Sequence, residues 1–165
     1  MDAEAFDAFY SASFSRVVGQ VYAMCGNFSE AQDCVQEAFV RAWDHRKALE
    51  TAYAPEAWVR TVAWRLAVSR WRRTRRSLLP PDRSKSPSAP AEPDIHHTAL
   101  VAALRKIPEE QRRAIVLHHL CDLPIADIAQ ETGVAVGTVK ARLSRGRAAL
   151  AELLRDEPTR ESRHV

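Results

Sequence analysis

The chain has 165 residues, a net charge of +3 and three cysteines, which is length for one domain or two small ones. It has no apolar run near the ~20 residues that span a bilayer. It opens Met1-Asp2-Ala3-Glu4, with acids where a secretory leader carries a basic start and an apolar core, so we expect no membrane insertion and a cytoplasmic location. Cys25, Cys34 and Cys121 are odd in number, far apart and without paired Cys/His spacing, which argues against a disulfide framework or a zinc site. We read all three as small apolar residues on helices and expect neither metal nor cofactor.

The small net charge hides a strong segregation. Residues 1–59 hold four basic and nine acidic side chains, a net of −5; residues 60–85 hold nine basic residues and only Asp82, a net of +8; residues 98–147 carry +3. A chain with one protein-facing acidic surface and two basic polyanion-facing ones would have this distribution. Nucleic acid becomes the leading candidate partner.

Glycine is scarce and apolar residues recur at three- and four-residue intervals, so the chain reads as all-α. In a first helix Phe6, Phe9, Tyr10, Phe14, Val17, Val21 and Tyr22 form one stripe. Gly26-Asn27 ends it, and Ser29 with Gln32 predicts a capping box for the second helix, which runs to about Arg46. There Ala31, Val35, Ala38, Phe39 and Ala42 share the core face. Asp33, Gln36, Glu37 and Asp44 share the other, around Val40. An acidic face is ordinarily just solvated, but an apolar Val at its centre favours a docking surface for a basic protein partner.

Pro55 suits the first turn of a third helix that runs to about Arg76. Trp58, Val59, Val62, Ala63 and Leu66 make its core stripe; Trp64, Val68 and Trp71 make a second; Arg65, Ser69, Arg72 and Arg76 make a third. Seven arginines lie between positions 60 and 76, with no acid after Glu56. Such a helix repels itself unless it meets phosphate. Arg interleaved with Trp also suits unstacked bases. Trp64 and Trp71 are either such stacking surfaces or plain core, and the pattern does not separate the two.

Composition then changes: residues 79–94 read LPPDRSKSPSAPAEPD, with five prolines, and form a linker that cannot bury a core. Helical periodicity resumes near Thr98 and continues to about Leu154. We therefore expect helical domains at 1–78 and 96–155, a linker at 79–95 and a polar tail at 156–165.

In the second domain, Leu100, Leu104, Ile107, Ile115, Val116 and Leu120 supply apolar support, and Pro108-Glu109-Glu110 starts a helix with acids at its N-terminus. His118 and His119 have no neighbouring ligand set. Residues 123–150, LPIADIAQETGVAVGTVKARLSRGRAAL, read as a helix-turn-helix. Ile125, Ile128 and Ala129 face inward on a short helix, Gly133 takes the tight turn, and Val134 and Val136 pack that turn. A second helix starts near Gly137-Thr138. Val139, Leu143 and Leu150 share its buried face, with Lys140 and Arg147 flanking. Thr138, Arg142 and Arg145 lie opposite, where Arg and Thr can read major-groove edges and grip phosphates.

With these segments in view, the chain resembles the extracytoplasmic-function sigma factors, a group of the sigma-70 family that keeps only sigma domains 2 and 4. AQDCVQEAFVRAW resembles the family's core-polymerase-binding segment, AWVRTVAWRLAVSRWRR its −10 helix, and IADIAQETGVAVGTVKARLSRGRAAL its −35 helix-turn-helix. The resemblance implies that Asp33, Gln36 and Glu37 face core RNA polymerase, and the helix pattern adds the apolar Val40 at their centre. It places Arg72 and Arg73 on −10 DNA, to which the stripes of the same helix add Trp64, Arg65, Ser69 and Arg76; it places Thr138, Lys140, Arg142 and Arg145 on −35 DNA, to which the basic face adds Arg147. Residues 45–54 correspond to the loop that captures a flipped base. Arg65 and Ser69 stand where the family often has Asn and Asp, which points to a stronger backbone grip and less base selection. Gly146 replaces a usual Ala, at a cost of up to ~1 kcal/mol in helix propensity.

The implied partners are core polymerase and promoter DNA, with an anti-sigma factor neither required nor excluded. The alternative is a stand-alone helix-turn-helix regulator, which accounts for the second domain but not for the face at 33–40 or the arginine helix. No carboxylate pair, nucleophile–base set or phosphate loop suggests an enzyme.

Overall fold

The computed structural model describes residues 1–52, 54–77 and 95–156, and every regular element among them is helical. In chain order these are α1 (Ala3–Cys25), α2 (Phe28–Asp44), α3 (Arg46–Glu50), α4 (Pro55–Ser77), α5 (Ile95–Leu104), α6 (Glu109–Ile115), α7 (Ile125–Thr132) and α8 (Val136–Arg155). Contacts divide the chain into two units, Met1–Asp94 and Ile95–Val165. Residues 79–94 of the expected linker and 157–165 of the expected tail lie outside the described residues. Ile95, expected as the last linker residue, opens α5.

In the first unit α1 starts where the Asp2 side chain accepts a 2.8 Å bond from the Ala5 N–H. It stops at Gly26, whose φ of 77° only glycine adopts freely and whose N–H reaches the Tyr22 carbonyl. The cap of α2 differs from the expected Ser29–Gln32 box. Asn27 does the work, its Oδ1 accepting from the Glu30 N–H at 3.0 Å. Ser29 already lies inside the helix, because the cap falls two residues earlier, directly after the left-handed Gly26.

The apolar stripe of α2 is sealed between α1 and α4: Ala31, Val35, Ala38 and Ala42 are fully buried and Phe39 is nearly so. Phe39 is the hub of an aromatic cluster, with Tyr10, Phe9, Phe14 and Phe6 at centroid distances of 5.0, 5.5, 6.0 and 6.3 Å. Edge-to-face and tilted pairs of this kind add to plain area burial. From α4, Val59, Ala63, Ala67 and Trp64 complete the core. Two polar links span it. Arg60, almost fully buried, donates to Gln20 Oε1 at 3.2 Å. Arg16 grips Glu56 with bonds of 2.7 and 2.8 Å. Residues 45–54, expected as a loop, contain the one-turn α3, anchored by buried Leu49.

In the second unit Pro108 precedes α6, with Glu109 and Glu110 in its first turn as expected. The helix continues into a π-type turn over Val116–Leu120, in which the Cys121 N–H reaches the Val116 carbonyl. Cys121 thus closes the segment rather than lying within a helix, and Asp122 follows with φ 54°. Gly133 caps α7 at φ 70°, its N–H on the Ala129 carbonyl. The second helix of the motif begins at Val136, which is not packed into the turn but 43% exposed. Leu104, Ile107, Ile115, Val116, Leu117, Ile128, Val139 and Leu143 form the core.

Gly146 belongs to that core. A Cβ placed there would lie 2.5 Å from Ile115 Cδ1 and 3.3 Å from Gln111 Cβ. The missing side chain therefore lets α8 approach α6, which offsets its propensity cost. Gly146→Ala is expected to forfeit the usual helix gain and to lower stability by about 1 kcal/mol, since overpacking costs about 1–3 kcal/mol. Denaturant unfolding checks this, and a clear gain in stability would contradict it.

The Arg16–Glu56 link carries a pH signature. Its hydrogen bonds to Arg16, opposed by burial, hold the Glu56 carboxyl below its ordinary value. A depressed carboxyl stabilises above its unfolded-state pKa and loses that contribution as pH falls through the folded one. Because the pair is partly exposed, Glu56→Gln is expected to cost only about 0.5 kcal/mol at neutral pH. The gap to the parent should close in acid; equal stability of the two at pH 7 would contradict it.

Candidate nucleic-acid and partner surfaces

With the α2 stripe buried, its opposite face is turned outward. Asp33, Gln36 and Val40 are exposed there, Val40 at 62%. Glu37 is different. Its carboxylate accepts from Arg41 at 2.7 Å and, across the helix pair, from Arg70 of α4 at 2.8 Å. Burial alone would raise this carboxyl, but the two guanidiniums outweigh it and hold it below its ordinary value. Glu37 is therefore both part of the acidic face and a tie between α2 and α4.

Beside this face lies a groove of about 310 Å³ lined by Phe6, Tyr10, Gln36, Phe39, Val40, Trp43 and Asp44. Trp43, 37% exposed, packs edge-on to Phe6 at 5.1 Å and carries the Arg46 guanidinium 4.1 Å above its ring. The sequence reading missed Trp43 and the aromatic floor. The one available sign was Trp43 standing three residues beyond Val40 on the same helix side.

The arginines of α4 divide into two groups. Arg60 and Arg70 serve the fold through Gln20 and Glu37, so the helix needs phosphate for fewer charges than the bare count of seven suggested. Arg65, Arg72, Arg73, Arg75 and Arg76 are exposed, and Ser69 is half-buried among them. Arg75 and Arg76 also suit the last turn, where cations complement the helix dipole. The tryptophans separate as well. Trp64 is 7% exposed and is core, a correction to its placement on DNA, because so deeply covered a ring offers no face on which a base could stack. Trp71 is 52% exposed, with Arg75 5.0 Å from its ring. Arg–Trp pairs of this kind can stack on bases and hold phosphate. His45, at the head of α3, stacks on half-buried Trp58 at 5.5 Å.

On α8, Thr138, Lys140, Arg145 and Arg147 are exposed. Arg147 Nε donates to His119 Nε2 at 3.2 Å. Burial, Arg147 and His118 together hold His119 below its ordinary pKa, consistent with a neutral acceptor ring. Arg142 sits differently from the expected outward face. Its side chain is only 23% exposed and its Nη2 lies 3.4 Å from Glu110 Oε2 on α6. Position 142 borders the buried stripe on the α6 side instead of standing opposite it.

Among the described residues no cluster of His, Cys, Asp and Glu could hold a metal, and no helix is long and apolar enough to cross a membrane. Burial pushes the Cys34 thiol up to about 12, which makes it an inert core residue.

A four-helix unit with an acidic face and an arginine-rich helix, followed by a unit with a helix-turn-helix, is the make-up of a two-part DNA-binding protein. Residues 9–77 match Sigma-70 region 2 and residues 97–150 match Sigma-70 region 4. The chain is 32% identical over 135 residues to the ECF RNA polymerase sigma factor EcfG of Rhodopseudomonas palustris, covering 79% of this chain and 75% of that protein. It is 28% identical to SigW of Bacillus subtilis, covering 94% and 91%. Its fold is similar to the sigma factor RpoE of Bartonella quintana, solved with the anti-sigma factor NepR: TM-score 0.77, 23% identity, 94% and 100% covered. The chain belongs to the ECF RNA polymerase sigma factors.

Proposed function

We propose a division of labour within this RNA polymerase sigma factor. The first unit, residues 1–78, binds core polymerase and the −10 element; residues 96–155 read the −35 element. Asp33, Gln36, Glu37 and Val40 form the core-docking face, extended by Trp43 and Asp44 along the groove. An apolar centre with an acidic rim suits a basic helical partner. Arg65, Ser69, Arg72, Arg73 and Arg76 line the separated −10 strand, with Trp71 in place of Trp64 as the stacking ring. Thr138, Lys140, Arg142, Arg145 and Arg147 meet the −35 duplex. The carrying observation is the 62% exposed Val40 in the middle of the acidic face of a helix whose other side is sealed.

In this reading the chain works in the cytoplasm, carries no catalytic group, and leaves the chemistry to polymerase. An anti-sigma factor would compete for the same faces. A regulator that never joins polymerase is not favoured, since it has no use for the region 2 match over residues 9–77.

Val40→Arg tests the docking face better than a change at Glu37, which would also disturb Arg41 and Arg70. It is expected to abolish co-purification with core polymerase while circular dichroism and stability stay within about 0.5 kcal/mol of the parent. Undiminished core binding would contradict the assignment. Arg72→Ala with Arg73→Ala should retain core binding but weaken capture of single-stranded −10 DNA at least tenfold, measured by fluorescence anisotropy of the holoenzyme. Unchanged affinity would remove these residues from the −10 surface.

A further inference from the structure

Arg142 and Glu110 form an ion pair that reaches the reading helix α8 from α6, at 3.4 Å between Nη2 and Oε2. The two members are unlike. Arg142 is three-quarters covered, whereas Glu110 is 72% exposed. For fold stability alone such a pair is weak, because a largely solvated carboxylate contributes little. It also places a negative charge against Arg142 on a helix whose exposed Thr138, Lys140, Arg145 and Arg147 are neutral or cationic. A carboxylate there repels DNA phosphate and lowers affinity for any duplex. It draws the guanidinium toward α6, however, and of the five N–H donors in that rigid fork only the Nη2 end lies against the carboxylate. The register is fixed from the other side too, since Gly146 lets α8 close onto Ile115 and Gln111 of the same helix α6.

We infer that Glu110 is a positioning residue for −35 recognition: it holds Arg142 in one orientation at the α6 edge of the reading helix, exchanging general affinity for base selectivity. This rests on the reading of the second unit as the −35 binder. Glu110 does not touch DNA itself in this scheme. It acts by removing rotamer freedom from Arg142, so that the free edge of the guanidinium meets one base or base step in a fixed pose.

The experiment is run-off transcription by the full chain with core polymerase, on templates scanned base by base through the −35 and −10 elements. Glu110→Gln is expected to flatten the preference at one or two adjacent −35 positions about fivefold to tenfold, within the range a single side-chain–base contact supplies. Preference at the remaining −35 positions and throughout −10 should be unchanged, as should the thermal midpoint. Arg142→Ala should flatten the same positions, and Glu110→Gln should then add nothing. Glu109→Gln, which removes the other first-turn carboxylate of α6, should leave the profile intact. A uniform fall at every −35 position, or an unaltered profile, overturns the inference. A parent protein with no −35 preference at all overturns the −35 reading together with it.

Discussion

The burial of one face of α2 governs the rest of the first unit. Ala31, Val35, Ala38, Phe39 and Ala42 leave no solvent-facing freedom on that side, and removing a ring such as Phe39 from a packed core costs about 3–5 kcal/mol. Once that stripe is sealed against α1 and α4, the helix cannot rotate. Asp33, Gln36 and Val40 must then face outward, and Glu37 must meet Arg70. The exposed acidic face, proposed above as the docking face, is thus a by-product of core packing, carried on a helix without loop structure of its own.

Electrostatics refines this frame. The acidic and arginine-rich halves of the first unit are not independent patches, because Glu37 joins them through Arg70 and Glu56 joins α4 to α1 through Arg16. Arginines that serve the fold are therefore interleaved with exposed arginines at positions 65, 72, 73, 75 and 76. The exposed ones gather toward the C-terminal end of α4, where the helix dipole also favours cations. The same economy appears on α8, where Arg142 and Arg147 have intramolecular partners while Lys140 and Arg145 are exposed.

Much of this was legible in the sequence, because helical periodicity and turn chemistry are local. The α2 stripe, the left-handed glycine at 133 and the start of α6 after Pro108 follow from spacings within a few residues. What escaped depends on separations the chain does not display. Glu37 and Arg70 are 33 residues apart, and Gly146 meets Ile115 only after α6 and α8 pack. A Gly that looked like a propensity loss is a close-approach site. Trp64 and Trp71 sit on one wheel stripe, yet only tertiary packing decides that the first is buried and the second is open. Asn27 displaced Ser29 as cap because two cap formers stand within three residues and the Gly26 turn favours the earlier one.

The central claim is that the acidic face of α2 recruits core polymerase so that the two basic surfaces act on one promoter. The most direct measurement is run-off transcription from a promoter library by core polymerase with and without the purified chain. Discrete transcripts that appear only with the chain, share −35 and −10 sequences, and vanish with the core-docking variant are the expected result. A folded chain that binds core yet yields no promoter-dependent RNA from any template would contradict the account.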